Sequence, residues 1–305
     1  MVQRSPVFDL ITHLLLILAI ALVGFPIYYA FVASTLTLDE VSLVPMPLVP
    51  GNHLAENFQT AARQGQLIRV LGNTFIVAIV VAAGKIAISI LSAFSVTYFR
   101  YRLRMAAFWL IFVTLMLPVE VRIVPTYDVA ANLLTPVNWF EKLLFIPQIT
   151  AWLGHPVQFT LKLNTLNTFP GLILPLVASA TATFVFRQFF LTIPDELCEQ
   201  AKIDGAGPLR FFWSIMVPMS RTNMAALVVI LFVYGWNQYL WPLLVTTDPH
   251  MNTAMIMLRQ MMPGDNDPQT WNLVMASALM VLVPPAVVVI TMQRWFVKGL
   301  IEGEK

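Results

Sequence analysis

Residues 70–98 read Val70-Leu-Gly-Asn-Thr-Phe-Ile-Val-Ala-Ile-Val-Val-Ala-Ala-Gly-Lys85-Ile-Ala-Ile-Ser-Ile-Leu-Ser-Ala-Phe-Ser-Val-Thr-Tyr98. A membrane-crossing helix needs about 20 mostly apolar residues, and this run exceeds that length with Lys85 as its single charge. The rest of the chain agrees with it. Of 305 residues, 58% are hydrophobic and 11% charged, with a mean hydropathy of +0.75, against roughly 25% charged residues in a soluble domain.

Outward from this run, five more apolar stretches qualify, at residues 10–31, 105–124, 172–190, 223–244 and 271–296. The first is long, contains Pro26 and Tyr28-Tyr29, and lacks a small-residue cleavage pattern, so it reads as retained rather than as a signal peptide. Cations assign the sides. Arg4 precedes the first stretch, Arg100, Arg102 and Arg104 separate the second from the third, Arg187, Lys202, Arg210 and Arg221 surround the link from fourth to fifth, and Arg294, Lys298 and Lys305 follow the sixth. By the positive-inside rule these regions are cytoplasmic. The expected fold is therefore an all-α membrane protein of six transmembrane helices with both termini cytoplasmic, a single transmembrane domain over residues 1–305. The external connections carry Asp39, Glu40, Glu56, Asp265 and Asp267.

The connection over residues 126–170 is long and mixes Trp139, Phe140, Leu143, Leu144, Phe145 and Trp152 with polar residues. That mixture suits the membrane interface or a partner surface rather than a crossing, and Pro136, Pro147 and Pro156 divide it. A lone cysteine, Cys198, excludes a disulfide framework and reads as a small apolar filler. His13, His53, His155 and His250 have no ligand-like spacing, so no metal or other cofactor is expected. A formal charge of +2 gives no reason to expect nucleic acid.

Between the fourth and fifth stretches stands Thr192-Ile-Pro-Asp-Glu-Leu-Cys-Glu-Gln-Ala-Lys-Ile-Asp-Gly-Ala-Gly-Pro-Leu-Arg-Phe-Phe-Trp-Ser-Ile-Met-Val-Pro218. Pro194 suits a first helical turn, and Asp195 and Glu196 favour its positive dipole end. Gly205 supplies the permissive backbone that ends this helix, and Pro208 is placed to start another. The expectation is two short helices about a sharp turn, just below the membrane.

This segment resembles the "EAA" loop of ABC importer permeases, with matches at Glu199, Ala201, Asp204, Gly205, Ala206, Phe212, Ile215 and Pro218. Gln200 departs from the usual first alanine, and Thr222 stands where many sugar permeases have a second proline. The resemblance implies the type I ABC importer permease fold and a coupling loop, residues 191–222, seated in a groove of an ATPase subunit. It also implies that Glu199 pairs with an ATPase cation and that Gly205 permits the bend. No ATP site competes within the chain, since Gly84-Lys85 is followed by Ile86 and position 79 is Ile, which breaks the Walker pattern. The chain is then a transport subunit and not an enzyme.

Further segments, Leu115-Met-Leu-Pro-Val-Glu-Val-Arg-Ile123, Ala178-Ser-Ala-Thr-Ala-Thr-Phe184, Phe186-Arg-Gln-Phe-Phe190 and Tyr234-Gly-Trp-Asn-Gln-Tyr-Leu-Trp-Pro-Leu-Leu244, are similar to one branch of the carbohydrate-uptake permeases. That branch comprises the second permease subunits of sn-glycerol-3-phosphate importers. Residues within 134–163 look like an insertion. The resemblance implies a second, different permease, two ATPase copies, a periplasmic binding protein and alternating access, with another sugar or polyol as the competing substrate.

Charges at membrane depth are costly unless paired or wetted, so Lys85 is expected to face the interior. Lys85 and Arg122 each admit two readings: a structural ion pair with Glu120, or attraction of an anionic phosphate. Trp236, Asn237, Gln238 and Tyr239 either contact a polyol or join helices. A secondary transporter usually carries a second related half, and none is found. A non-transporting scaffold leaves the loop pattern unexplained.

Overall fold

The computed structural model describes residues 6–117, 119–143, 163–264 and 270–302, and among these every regular element is helical. Two compact units emerge, Met1–Leu71 with Ala254–Pro284, and Gly72–Thr253 with Pro285–Lys305.

The first unit contains α1 (Pro6–Thr35), α2 (Leu38–Val41), α3 (Leu54–Gln64) and the beginning of α4 (Leu67–Tyr98). A helix end leaves carbonyls without partners, and at α1 two buried amides supply them. Asn57 Nδ2 donates to the Ser34 and Leu36 carbonyls at 2.9 and 2.8 Å. Asn272 Nδ2 donates to Leu36 O and Asn57 Oδ1 at 3.3 and 3.2 Å. Next to this knot, Thr37 and Glu40 form a reciprocal capping box on α2. The Thr37 backbone N–H, and then its hydroxyl, hold the Glu40 carboxyl below its ordinary value.

The second unit holds the rest of α4, then α5 (Arg104–Met116), α6 (Val119–Ala131), α7 (Thr135–Leu143), α8 (Phe169–Ile173), α9 (Ala180–Phe190), α10 (Asp195–Ile203), α11 (Pro208–Phe211), α12 (Val217–Met219), α13 (Arg221–Trp236) and α14 (Leu240–Val245). Helices α15 (Ala254–Met261) and α16 (Trp271–Glu302) complete the chain. Helix α4 is the spine of this unit. Its Val77 and Val81 pack with Leu172, Leu176, Trp241 and Val245 in one apolar cluster, while Ile90, Ala93 and Phe94 join Phe186, Phe190, Phe212 and Leu231 in another. Gly235 permits a close approach to α4, because a Cβ there would lie 2.9 Å from Ala78 Cα.

Among the described residues, three helical segments are long and apolar enough to cross a membrane: Val7–Thr35, Leu67–Tyr98 and Trp271–Arg294. Two bent pairs, Phe169–Leu176 with Ala180–Phe190 at 47° and Pro208–Met219 with Arg221–Trp236 at 71°, bring the number to five when each pair is counted as one span. Residues 105–124, read from sequence as one crossing, instead fall in two helices, α5 and α6, parted at Leu117. At about 1.5 Å per residue α5 reaches only about 20 Å of a roughly 30 Å core. Residues 223–244 are likewise divided, with α13 ending at Trp236 and α14 beginning at Leu240. The expected interfacial residues Leu144, Phe145, Pro147, Trp152 and Pro156, with His155, lie outside the described residues, as do Arg4, Asp265, Asp267 and Lys305.

Candidate functional site: a coupling loop and two interrupted helices

The loop after α9 folds as the punctuation in its sequence predicts. Helix α10 starts behind Pro194 and ends at Asp204. The Gly205 N–H donates to Lys202 O and the Ala206 N–H to Ala201 O, at 3.0 and 2.8 Å, the paired bonds of a Schellman ending. This ending requires a left-handed residue, and Gly205 has φ +71°. Nothing lies within 4 Å of the position a Gly205 Cβ would take, so the constraint there is conformational and not steric.

The motif residues divide by role. Ala201 and Phe212 are buried, and Ala206 and Ile215 pack on the same cluster. Phe94 of α4 meets Phe212 at a ring-centre distance of 5.0 Å, and Tyr98 meets Phe211 at 5.4 Å and Phe190 at 6.1 Å. Glu199, Asp204 and Gly205 are exposed, and Pro218 is half-buried. Around them Ile203, Leu209 and Trp213 stand bare, 85%, 71% and 65% exposed. A π-helical turn over Phe212–Met216 carries the chain from loop to α13, a feature with no marker in the sequence. Cys198 is half-buried against the same cluster, in keeping with the filler reading.

The second part of the site is centred on Lys85, which is 6% exposed. Its ammonium donates to the Ala178 carbonyl at 3.0 Å and lies 4.4 Å from the centre of the Tyr234 ring. Ala178 sits in the break between the 3₁₀ turn Leu174–Leu176 and α9. Ser89, one turn along α4, donates to the Ser179 carbonyl at 3.2 Å, while the Ser179 hydroxyl accepts from the Ala182 N–H and caps α9. Gly84 makes room for the break, since a Cβ there would stand 2.8 Å from Val177 Cγ1. A short stretch of α4, Gly84 to Ser89, thus holds an unwound stretch of its neighbour through Gly84, Lys85 and Ser89. Residues Ala178, Ser89 and Tyr234 escaped the sequence reading because their part is played by a carbonyl, a hydroxyl and a ring face.

The other pathway candidates are placed as follows. Arg122 lines a recess of about 40 Å³ with Thr126, Pro175 and Trp241, and the Trp241 indole donates to Gly171 O at 3.1 Å. Trp236 is 1% exposed and packs on Phe232 at 5.7 Å, with its Nε1 lacking a hydrogen-bond partner among the described residues. Asn237 caps α13 and is exposed. Gln238 Nε2 donates back to Tyr234 O at 3.1 Å, and Tyr239 precedes α14. Glu120 belongs to α6, with its side chain outside the described residues. Among the described residues, no three His, Cys, Asp or Glu side chains gather as a metal site.

Comparisons with known proteins identify the family. The profile of binding-protein-dependent transport system inner membrane components matches residues 85–302. The sn-glycerol-3-phosphate transport system permease protein UgpE of Rhizobium meliloti is 52% identical over the whole of both chains, and its namesake from Brucella melitensis is 50% identical over the same extent. A chain in the crystal structure of a bacterial ABC transporter that imports the acidic polysaccharide alginate superposes with a TM-score of 0.61 at 15% identity, covering 95% of this chain and 96% of that one. The alginate transporter in complex with its pentasaccharide-bound periplasmic protein gives 0.58 at 16% identity, covering 94% and 90%. With its family profile matched from Lys85 onward and its relatives aligned end to end, the chain belongs to the binding-protein-dependent ABC importer permeases, components of the inner membrane.

Proposed function

We propose that this permease carries sn-glycerol-3-phosphate and that the exposed turn at Gly205 is where it takes its drive from an ATPase. The substrate reading is supported by relatives of that name at 50–52% identity over their full length. The coupling reading is carried by one observation: the turn is exposed while the residues on both sides of it are locked into the core of the spans. Ile203, Leu209 and Trp213 offer apolar surface to a partner, and Glu199 and Asp204 offer charge. A displacement of the turn reaches α4 and α9 through Phe212, Phe94 and Phe190, and packed aromatic contacts transmit such a shift because cores do not compress.

Phe94 and Lys85 share α4 at a separation of about 13 Å. Movement of the loop therefore acts on the same helix that holds the interrupted segment at Ala178. Binding-protein-dependent transport supplies the substrate from outside. The assembly that fits is a pair of different permeases, two ATPase copies and a periplasmic binding protein, with alternating access between them. The topology that fits is a single domain with six crossings and both termini cytoplasmic, residues 191–222 inside and residues 126–170 outside, the third crossing being built from α5 and α6. Lys85, Arg122, Asn237, Gln238 and Tyr239, with Glu120 and Trp236, are the pathway candidates.

The experiment is uptake into proteoliposomes holding the assembled complex, ATP and the saturated binding protein. Labelled glycerol-3-phosphate should accumulate, and unphosphorylated glycerol or a neutral sugar should not compete. Uptake of a neutral sugar with none of the phosphate ester would replace the substrate while leaving the family intact.

A further inference from the structure

Residues 42–50 read Ser-Leu-Val-Pro-Met-Pro-Leu-Val-Pro, without a charge, between Asp39 and Glu40 on one side and His53 and Glu56 on the other. Both ends of this loop are held beside the end of α1, the entry by the local cap of α2 and the exit by bonds to Thr35. On the entry side, Thr37 and Glu40 cap α2. On the exit side, Gly51 N donates to Thr35 Oγ1 at 2.7 Å and His53 N to Thr35 O at 3.1 Å. With its ends held, the loop doubles back along α1, where the Tyr28 hydroxyl donates to Leu48 O at 2.8 Å. Tyr28 lies seven residues before Thr35, so the loop returns about 10 Å down a helix that crosses the membrane. Its side chains turn outward: Val44 is 98% exposed and Val49 74%.

Bare apolar side chains at that depth face the same medium as the flank of α1, whose most apolar window has no buried residue. Tyr29 and Trp271 share an open groove with the loop, and Tyr and Trp side chains favour the headgroup level. Pro45, Pro47 and Pro50 also lack the backbone N–H that is costly to bury in lipid. We propose that residues 42–50 are a lipid-inserted loop, an apolar finger seated in the bilayer interface beside α1, with its occupant the phospholipid leaflet.

The test places an environment-sensitive fluorophore at Val44→Cys and, separately, at Val49→Cys in the full complex reconstituted in phosphatidylethanolamine and phosphatidylglycerol vesicles. The parent chain, labelled alike, gives the Cys198 background, and Glu56→Cys on α3, exposed in the same unit, serves as the aqueous reference. Uptake by each variant confirms assembly. Nitroxide-bearing phospholipid should quench positions 44 and 49 several-fold more than position 56, and an aqueous chromium chelate should do the reverse. Equal access of the aqueous quencher to all three positions overturns the proposal in favour of a solvated loop. Shielding from both quenchers overturns it in favour of a protein partner. None of these outcomes depends on which substrate the importer carries.

Discussion

The Lys85 ammonium bridges the Ala178 carbonyl at 3.0 Å and the Tyr234 ring at 4.4 Å, so one cation on an unbroken helix joins the interrupted segment before α9 to the last turns of α13. Charged hydrogen bonds contribute about 1.5–3 kcal/mol and desolvated cation–ring contacts about 2 kcal/mol. Lys85→Met should therefore lower the thermal midpoint of the solubilised complex and depress uptake more than it depresses assembly. A thermal-shift series beside uptake measures both. The cycle with Glu120→Gln separates the remaining reading: a paired carboxylate gives recovery in the double variant, and additive losses leave Lys85 to its carbonyl and ring.

Gly205 gives a cleaner separation of strain from contact. With open space around its missing side chain, Gly205→Val should fail for backbone reasons alone, at a cost of about 1–2 kcal/mol for a left-handed branched residue. Asn tolerates that conformation, so Gly205→Asn should retain most of the ATPase stimulation by loaded binding protein that Gly205→Val loses. Equal stimulation in all three proteins would falsify the coupling role of the turn.

The opposite situation holds at Gly84, where a Cβ meets Val177 at 2.8 Å. Overpacking of this kind costs about 1–3 kcal/mol. Gly84→Ala should destabilise the complex, and Val177→Ala added to it should restore the midpoint by vacating the contact. A double variant no better than Gly84→Ala would mean that the helix break does not depend on this fit.

Arg122 offers a planar fork that lysine lacks. Arg122→Lys is expected to weaken glycerol-3-phosphate uptake with assembly and nucleotide-driven closure unchanged, the defect growing with salt if the cation also steers the anion inward. Uptake at two ionic strengths, with matched complex and saturating binding protein, reads this directly. Unchanged uptake at both would return Arg122 to a packing role beside Thr126 and Trp241.

Those features were legible that sequence marks by composition or by backbone-specific residues. The run through Lys85 is apolar over more than a membrane thickness, and the loop carries Pro194, Gly205 and Pro208 at the joints where the chain turns. The breaks at Val177–Ser179 and Asn237–Tyr239 were invisible because hydropathy measures what side chains prefer and not which way the backbone runs. Their apolar flanks score alike whether the helix continues or bends. Lys85 is buried, and the Ala178 carbonyl and Tyr234 ring that it meets carry no mark in the sequence, which displays charges but not the carbonyls that a frayed helix frees. Residues 105–124 divide at Leu117, next to a proline in the sequence, a helix breaker that an apolar count does not register.

The way the loop is rooted bears on how such importers can diverge. Its outward turn is small and solvent-facing, but Phe211 and Phe212 pack on Phe94 and Tyr98 of α4, and Tyr98 in turn meets Phe190 of α9. A graft of residues 191–222 alone onto a distant permease would bring the contact surface without its foundations. Exchange of ATPase preference between transporters must then proceed by coordinated drift of three separate stretches of chain, and a chimera made at the loop boundaries inherits a mismatched floor.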